Sequence, residues 1–489
     1  MSSLKEKSLK GMSWDFVGHF GLQGVGFFVS IVLARILAPE DFGLLAIIAV
    51  FVNLAAVFMD FGFSTALIQR SEVTDSHYAS VFYMNVVMGL VLALLVFFAA
   101  PFIAAFYDNV LLTNLVRFMS LSFIVSSFGN VMRARLRREM NFKTISCSNV
   151  CAAFISGAGA IYMAWAGYGV WSLAVQSVAN QFLANVFLYF LSPMRINLRF
   201  SLQALKDLWA FSSRMFFSGL LDTLFINADS LIIGKALNTS TLGFYYRAKS
   251  LENFSFRYTA SVLSSVLLPG LSSLQNDPDK LKHVVIKICH LVTFVSCLGC
   301  GLLLVTAPEI IILLFSNKWE PSVIMFQILI SGAFASQLYN VFYNTFLSTG
   351  AVNTYFRINV LQKILLLLNF TTLFLGSMNI YLIIYAIFNV ITLFVGIYYI
   401  SIMLKLGHLL YVQTLKYLAI YCATVFLLIA YREVYPISNH YVSIIINTCI
   451  FSIIYVSLDH YLKYGGLKLV INEAATLIKR YKLDKSFNK

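Results

Sequence analysis

Apolar positions run along this chain in long blocks, each about the length needed to cross a membrane. A bilayer-spanning helix takes about 20 consecutive apolar residues. The pattern predicts fourteen such spans, at residues 14–37, 42–68, 78–100, 113–132, 145–165, 170–192, 209–236, 242–268, 284–306, 321–347, 356–376, 380–403, 415–431 and 442–462. The segments between them are short, so the sequence predicts an all-α polytopic membrane protein without a separate soluble domain.

Composition and charge support this prediction. The chain is 60% hydrophobic and 11% charged, whereas soluble domains have about 25% charged residues. The first span ends at Arg35 without a small-residue cleavage site, so we expect it to be retained rather than removed as a leader. Most Lys and Arg residues, including the run "RARLRREMNFK" (133–143), fall in alternate loops, and only Lys318 and Arg432 fall in the others. Because such residues stay cytoplasmic, both termini are predicted to be cytoplasmic. No nucleic-acid partner is expected, since no basic soluble domain exists.

The chain also resembles itself. When it is shifted by 200 residues, "VLARILAPEDFGL" (32–44) aligns with "IIGKALNTSTLGF" (232–244), and Gly43 aligns with Gly243. A six-span unit returns the chain to its starting side, so two copies share one orientation, as in transporters with parallel repeats. We therefore predict six-helix bundles at 1–200 and 201–404. Residues 405–489 would add two helices and a basic amphipathic tail (467–483) suited to an anionic membrane surface.

Charged residues concentrate in the seventh and eighth predicted spans. Lys249, Asn253 and Arg257 are spaced i, i+4, i+8 and so share one helix face. An ionisable residue at the bilayer centre costs about 2.5–3.5 kcal/mol and usually faces protein or water. Two interpretations follow: the cations line a cavity, or they pair with nearby acids while the outermost ones reach the membrane surface.

The two copies differ in charge. Positions 247, 249 and 257 correspond to Ile47, Ala49 and Val57 in the first copy. A one-sided cationic wall suits a diphosphate, which needs several donors and positive charge, and suits a lipophilic cation poorly. The candidate substrate-binding residues are Arg35, Asn53, Arg214, Lys235, Arg247, Lys249, Asn253, Arg257 and Lys363. The candidate residues for proton or ion coupling are His19, Asp60, Asp222, Asp229 and Glu252.

Several of these residues have structural alternatives. Asn53 and Asn253 occupy equivalent positions, and buried amides often bridge helices. His19 could be a hydrogen-bonded packing residue, and Asp60 could brace the turn that follows its span. "CLGC" (297–300) lies within a span, so its cysteines are expected to pack rather than bind metal. The sequence has no nucleotide-binding or hydrolase motif, and we expect neither enzymatic activity nor a cofactor.

Two motifs resemble those of a known group. "LARILAPEDFGLLAI" after the first span and "DFGFSTALIQR" (60–70) are similar to signatures of the polysaccharide transporter group of the MOP exporter superfamily. The greatest similarity is to Wzx-type flippases of the colanic-acid and teichuronic-acid exporter branch. The resemblance implies a flippase that moves undecaprenyl-diphosphate-linked oligosaccharide across the bacterial cytoplasmic membrane by alternating access, for lipopolysaccharide O-antigen, capsule or exopolysaccharide synthesis.

The expected partners are the lipid-linked substrate, membrane lipids, and polysaccharide polymerase and chain-length machinery, with the transporter itself a monomer. One alternative is a cation-coupled small-molecule exporter of the multidrug type with the same fold. Another is a polysaccharide polymerase or ligase. Polymerases and ligases typically have a large outer loop with Arg or His, and here the longest outer loop, around 307–320, is short and mostly apolar.

Overall fold

Every regular element in the described part of the chain is a helix. The computed structural model describes residues 2–192, 200–275, 277–435, 437, 439–473 and 475, with the backbone alone at 2–13, 15, 256–266, 269 and 375. The α-helices are α1 (Ser2–Ile36), α2 (Pro39–Asp60), α3 (Phe63–Gln69), α4 (Asp75–Phe106), α5 (Leu111–Arg138), α6 (Phe142–Trp165), α7 (Val170–Leu191), α8 (Leu202–Ala236), α9 (Thr239–Ser272), α10 (Pro278–Phe315), α11 (Pro321–Ser348), α12 (Val352–Phe370), α13 (Met378–Met403), α14 (Leu409–Val434) and α15 (His440–Tyr461). Short 3₁₀ turns follow α10 (Asn317–Trp319) and α12 (Thr371–Leu375).

The prediction of a polytopic membrane protein is confirmed. Among the described residues, twelve helices are long and apolar enough to cross a membrane. The helices α9 and α12 are not among these twelve. Both contain charged residues, such as Lys249 in α9 and Lys363 in α12. The total of fourteen spans therefore stays a prediction.

The second predicted span, 42–68, is wrong as a single helix. The structure divides it into α2 and α3 because Phe61 and Gly62 both have positive φ values, 47° and 77°. Glycine adopts this left-handed conformation without strain, and it commonly ends a helix. Asp60 accepts hydrogen bonds from the backbone N–H of Ser64, at 3.2 Å, and from its hydroxyl. This is the bracing role considered for Asp60 as an alternative to coupling.

Contacts divide the chain into two compact units, Met1–Tyr246 and Arg247–Lys489. In the first unit, α4 packs on α5, α6 packs on α1 and α7, and α2 packs on α8. In the second, α10 contacts α11, α14 and α15, and α13 contacts α11 and α12. The bundle boundaries expected at 200/201 and 404/405 stay predictions.

The basic run 133–143 has a structural role in addition to its predicted effect on orientation. Arg138 donates hydrogen bonds to the carbonyl of Leu67 at 2.8 Å, to that of Ser71 at 2.6 Å and to that of Arg70. Arg70 in turn donates to the Asp207 carbonyl at 2.8 Å. The bond to Leu67 satisfies a carbonyl in the last turn of α3, which the helix leaves without an internal partner, and the others fix the chain that follows it.

Candidate functional site

The charged segment of α9 forms an ion pair on its own helix. Lys249 Nζ lies 2.8 Å from Glu252 Oε2, and the two side chains are 23% and 14% exposed. Lys249 also donates to the Tyr385 hydroxyl of α13 at 3.4 Å and lies 4.9 Å from the centre of that ring. Residues three apart on a helix are neighbours, so one of the two interpretations, mutual pairing, applies to Lys249 in this conformation.

The outermost cations of these spans were expected to reach the membrane surface, but Arg247, the first cation of α9, does not. Its side chain is only 3% exposed. The guanidinium carbon lies 4.6 Å from the ring centre of Phe315 and 5.1 Å from that of Trp319. A cation over aromatic faces is attracted by the ring quadrupoles, and more strongly when water is excluded. Arg247 therefore joins α9 to the end of α10.

The other candidate residues of the second unit lie on two helices, α9 and α12. Glu252 is half-buried beside Lys249, and Asn253 is exposed on α9. The side chain of Arg257 lies outside the described residues. Lys363 is half-buried on α12. Whether these residues hold a substrate stays a prediction.

In the first unit, two candidates of α8 have defined partners. Asp229 is 9% exposed and accepts a hydrogen bond from the Tyr245 hydroxyl at 2.7 Å. Lys235 Nζ lies 2.9 Å from Asp108 Oδ2 in the turn between α4 and α5. Exposed ion pairs of this kind contribute little to stability. Replacing Asp108 by another anion beside Lys235 would therefore cost little free energy.

The remaining candidates of the first unit, other than Asp60, have exposed side chains. These candidates are His19, Arg35, Asn53, Arg214 and Asp222. Asn53 donates to Asn227 Oδ1 of α8 at 3.1 Å, and Asn227 donates to the Thr223 carbonyl at 2.7 Å. Asn53 thus bridges two helices, as one of its two alternatives predicted. Its partner is Asn227 rather than the repeat-equivalent Asn253.

A contact between the two repeat copies emerges at the start of α2 and α9. A Cβ atom added to Gly43 would lie 1.9 Å from the Thr239 carbonyl oxygen, and one added to Gly243 would lie 1.9 Å from the Pro39 carbonyl oxygen. Pro39 and Thr239 are themselves separated by 200 residues. The Ser240 hydroxyl donates to Glu40 Oε1 at 2.8 Å, across the same offset. The crossing of the two helices is therefore symmetric about the repeat, and it supports the predicted duplication.

A family model described as "Polysaccharide biosynthesis protein" matches residues 32–324, which is more than half of the chain. The chain belongs to this family. Three relatives agree with that assignment. The Escherichia coli K12 "Lipopolysaccharide biosynthesis protein WzxC" is 25% identical over 74% of each chain. The Rhizobium meliloti "Succinoglycan biosynthesis transport protein ExoT" is 26% identical over 63% of each. The Bacillus subtilis "Teichuronic acid biosynthesis protein TuaB" is 24% identical over 74% of this chain and 75% of its own.

Solved structures show the fold of this family member. The "Lipid II flippase MurJ, inward closed conformation" superposes with a TM-score of 0.75 at 14% identity, covering 92% of this chain and 99% of that one. An inward-facing "multidrug resistance MATE family transporter of the MOP superfamily" gives a TM-score of 0.60 at 14% identity, covering 78% and 94%. The predicted fold class, an all-α polytopic membrane protein, is confirmed, and its fold is the one that these two transporters share.

A buried polar cluster that sequence reasoning missed joins Glu309, inside the family match, to two residues beyond its end. Glu309, 3% exposed within α10, accepts from Arg432 Nη2 of α14 at 2.6 Å and from the Ser443 hydroxyl of α15 at 2.7 Å. Arg432 was assigned to an outer loop, but it lies in the last turn of α14. A lone acid in the apolar "TAPEIIIL" (306–313) was the available signal, because buried intramembrane acids require a partner.

A second missed cluster lies around Asp459 of α15, which is 1% exposed. Its carboxylate accepts from the Tyr417 hydroxyl at 3.1 Å and from the backbone N–H groups of Gly466 and Leu467 at 3.1 and 3.0 Å. His290 Nε2 of α10 lies 2.5 Å from the same Tyr417 hydroxyl. Residues 466–473 are helical, and Asp459 holds the start of this segment against α10, α14 and α15.

We expect Asp459→Asn to destabilise this attachment. The substitution removes the charge from two backbone hydrogen bonds and places an amide N–H₂ near other donors. Hydrogen bonds to charged groups contribute about 1.5–3 kcal/mol each, so the purified variant should unfold at a lower temperature and lose its tail earlier in limited proteolysis. Asp279→Asn, at an exposed position in the first turn of α10, is the matched control. Unchanged proteolysis of the Asp459 variant would contradict the assigned role.

The cysteines of "CLGC" (297–300) lie inside the second unit. Cys297 and Cys300 are both buried among the helices of the second unit. Within the described residues, no group of three or more His, Cys, Asp or Glu side chains could hold a metal ion.

Proposed function

We propose that this protein is a flippase that moves an undecaprenyl-diphosphate-linked oligosaccharide from the cytoplasmic to the outer leaflet of a bacterial cytoplasmic membrane. Its family and the transport role in the name of a relative support this proposal. The fold shared with a lipid II flippase is compatible with it. The observation that carries the proposal is the one-sided charge of the repeat, with Lys249 and Arg257 facing no cationic counterparts at Ala49 and Val57.

The proposed chemistry is recognition of the diphosphate by cations. Lys249 is held between Glu252 and Tyr385, so its ammonium group is already desolvated in part. A diphosphate offers more charge and more acceptor oxygens than one carboxylate, and charge-assisted hydrogen bonds are about twice as strong as neutral ones. We infer that Lys249 exchanges Glu252 for the substrate phosphate, and that Arg257 binds the same group from two turns further along α9.

The function is tested by deleting the gene. Lipid-linked repeat units should accumulate on the inner leaflet, where added impermeant glycan-modifying enzymes reach them only after the membrane is opened. A plasmid copy of the gene should restore export. Unchanged surface polysaccharide combined with increased sensitivity to cationic drugs would instead favour the multidrug-type exporter. A loss of polymer length without accumulation of inner-leaflet repeat units would favour a polymerase.

The orientation has its own test. A reporter fused after Arg138 should score as cytoplasmic, and one fused after Asn317 should score as external. The reason is that Lys and Arg residues resist translocation, and the run 133–143 is rich in them. Reversed scores at the two positions would reject both the cytoplasmic termini and the assignment of the substrate's entry side.

A further inference from the structure

An apolar cleft of about 620 Å³ lies between α4, α5 and α7 of the first unit. Four phenylalanine rings line much of it, from Phe82, Phe128, Phe182 and Phe190. Asn185 is the one amide among its lining residues. The cleft lies toward the end of the helices where α5 continues into the basic run 133–143, because its α5 lining extends only from Ile124 to Met132.

A guanidinium group stands at the edge of this cleft. Arg133 Nη2 donates to Asn185 Oδ1 at 2.7 Å, and Asn185 Nδ2 donates to the Val125 carbonyl at 2.6 Å. A Cβ atom added to Gly129 would lie 2.7 Å from Arg133 Nη1 and 2.0 Å from Asn185 Oδ1. Both Gly129 and Asn185 line the cleft. The missing side chain at Gly129 therefore leaves the space that the guanidinium occupies.

The charge of Arg133 is not compensated by an acid in the part of the chain that the structure describes. Its neighbours in the basic run differ: Arg135 pairs with Glu139 at 2.8 Å, and Arg138 donates to three backbone carbonyls. Arg133 is half-buried and donates to a neutral amide. A partly buried cation without a counter-charge is costly, so this site favours an anionic ligand.

We propose that the α4–α5–α7 cleft binds one acyl chain of an anionic glycerophospholipid, with the lipid phosphate on Arg133. Its size supports a chain of ordinary length: if a methylene group takes roughly the 30 Å³ of a water molecule, the cleft holds on the order of 20 of them. The much longer undecaprenyl chain of the proposed substrate does not fit within this volume. The guanidinium fork matches two phosphate oxygens, and the apolar lining matches the hydrocarbon.

The site differs from the general contact of a membrane protein with surrounding lipid. Surrounding lipid requires only apolar surface, and many exposed apolar side chains of this chain provide it. Selection of a phosphate-bearing anionic headgroup requires a fixed cation beside a cleft, which Arg133, Asn185 and Gly129 supply. The proposal is independent of the transported substrate, because it concerns a resident lipid.

Native mass spectrometry of the purified full-length protein tests the proposal. Delipidated protein is titrated with phosphatidylglycerol or with phosphatidylcholine of the same acyl chains. We expect a retained phosphatidylglycerol molecule, and Arg133→Gln should weaken its retention about tenfold, as loss of a charge-assisted hydrogen bond predicts. Arg133→Lys should retain phosphatidylglycerol more strongly than Arg133→Gln and less strongly than the parent chain. Arg137→Gln, an exposed member of the same basic run, is the matched control and should stay within about twofold of the parent chain.

A second variant separates lipid loss from misfolding. Val186→Trp fills the cleft without changing charge and should exclude the retained lipid while the protein stays monodisperse. Equal retention of phosphatidylcholine and phosphatidylglycerol would overturn the proposal, as would equal losses at Arg133 and Arg137. Complete displacement of phosphatidylglycerol by undecaprenyl phosphate at the same concentration would also overturn it, and would assign the cleft to the carrier lipid.

Discussion

Exchanging the charges of the Lys249–Glu252 ion pair is expected to preserve the abundance of the protein in the membrane but to abolish its export activity. Lys249→Gln alone should reduce export about a hundredfold, because it removes a charged contact worth about 1.5–3 kcal/mol to the diphosphate. In the double variant Lys249→Glu, Glu252→Lys the i, i+3 pair can re-form, so membrane abundance should stay close to that of the parent chain. The face shared with Asn253 and Arg257 then presents a carboxylate where the substrate needs a cation. Export of lipid-linked repeat units, normalised to abundance, is the measurement.

The control for this exchange is a pair with the same spacing and no expected substrate contact. Lys280 Nζ lies 2.8 Å from Asp277 Oδ2, with the lysine side chain 73% exposed. Lys280→Gln should therefore leave export unchanged. If the exchanged Lys249–Glu252 pair restores export to the parental level, the pair is structural, and the diphosphate site must be assigned elsewhere.

Side chains at Gly43 or Gly243 are expected to separate α2 from α9 and to reduce export to a similar, large extent. The atom that each new Cβ would meet is a backbone carbonyl oxygen, at 1.9 Å. A backbone moves only with its helix, so valine at either position forces the two helices apart. Overpacking of this kind costs about 1–3 kcal/mol. The symmetry of the crossing predicts comparable losses at the two positions.

Chemical cross-linking measures the separation. The Ser240 hydroxyl and Glu40 Oε1 are 2.8 Å apart, so a short bifunctional thiol reagent should join the cysteines of the variant Glu40→Cys, Ser240→Cys, and Gly43→Val or Gly243→Val should slow that reaction. Gly24→Val and Gly26→Val are controls, since a Cβ atom at either position meets nothing within 4 Å. Fast cross-linking and full export in both Gly43 and Gly243 variants would reject the tight crossing.

The sequence was sufficient for the all-α membrane fold class because that class depends on local pattern. Apolar blocks of spanning length predict helices, and the alignment of Gly43 with Gly243 predicts a duplication. The division of the second span after Asp60 was missed, because an apolar residue with positive φ, Phe61, gives no periodic signal. Gly62 was visible, but a single glycine does not by itself end a membrane helix.

The partners of the charged residues could not be predicted in the same way. Lys249 and Glu252 are close in the chain, and their pairing was one of the alternatives considered. Arg247 and Phe315 are distant in the chain and meet only through packing of α9 against α10. Asn53 bridges two helices, which was one of its alternatives, but the sequence did not identify its partner as Asn227. Repeat symmetry relates positions, whereas hydrogen bonds depend on which helix is the neighbour.

The crossing of α2 and α9 has the form of an interface between two identical molecules. In a two-fold dimer, residue i of one subunit contacts residue j of the other, and j contacts i. Gly43 with Thr239 and Gly243 with Pro39 follow that rule. In such a dimer, one substitution changes both halves at once. Fusion of the halves into one chain removes this constraint, and a one-sided distribution of charge, such as Lys249 against Ala49, becomes accessible to selection.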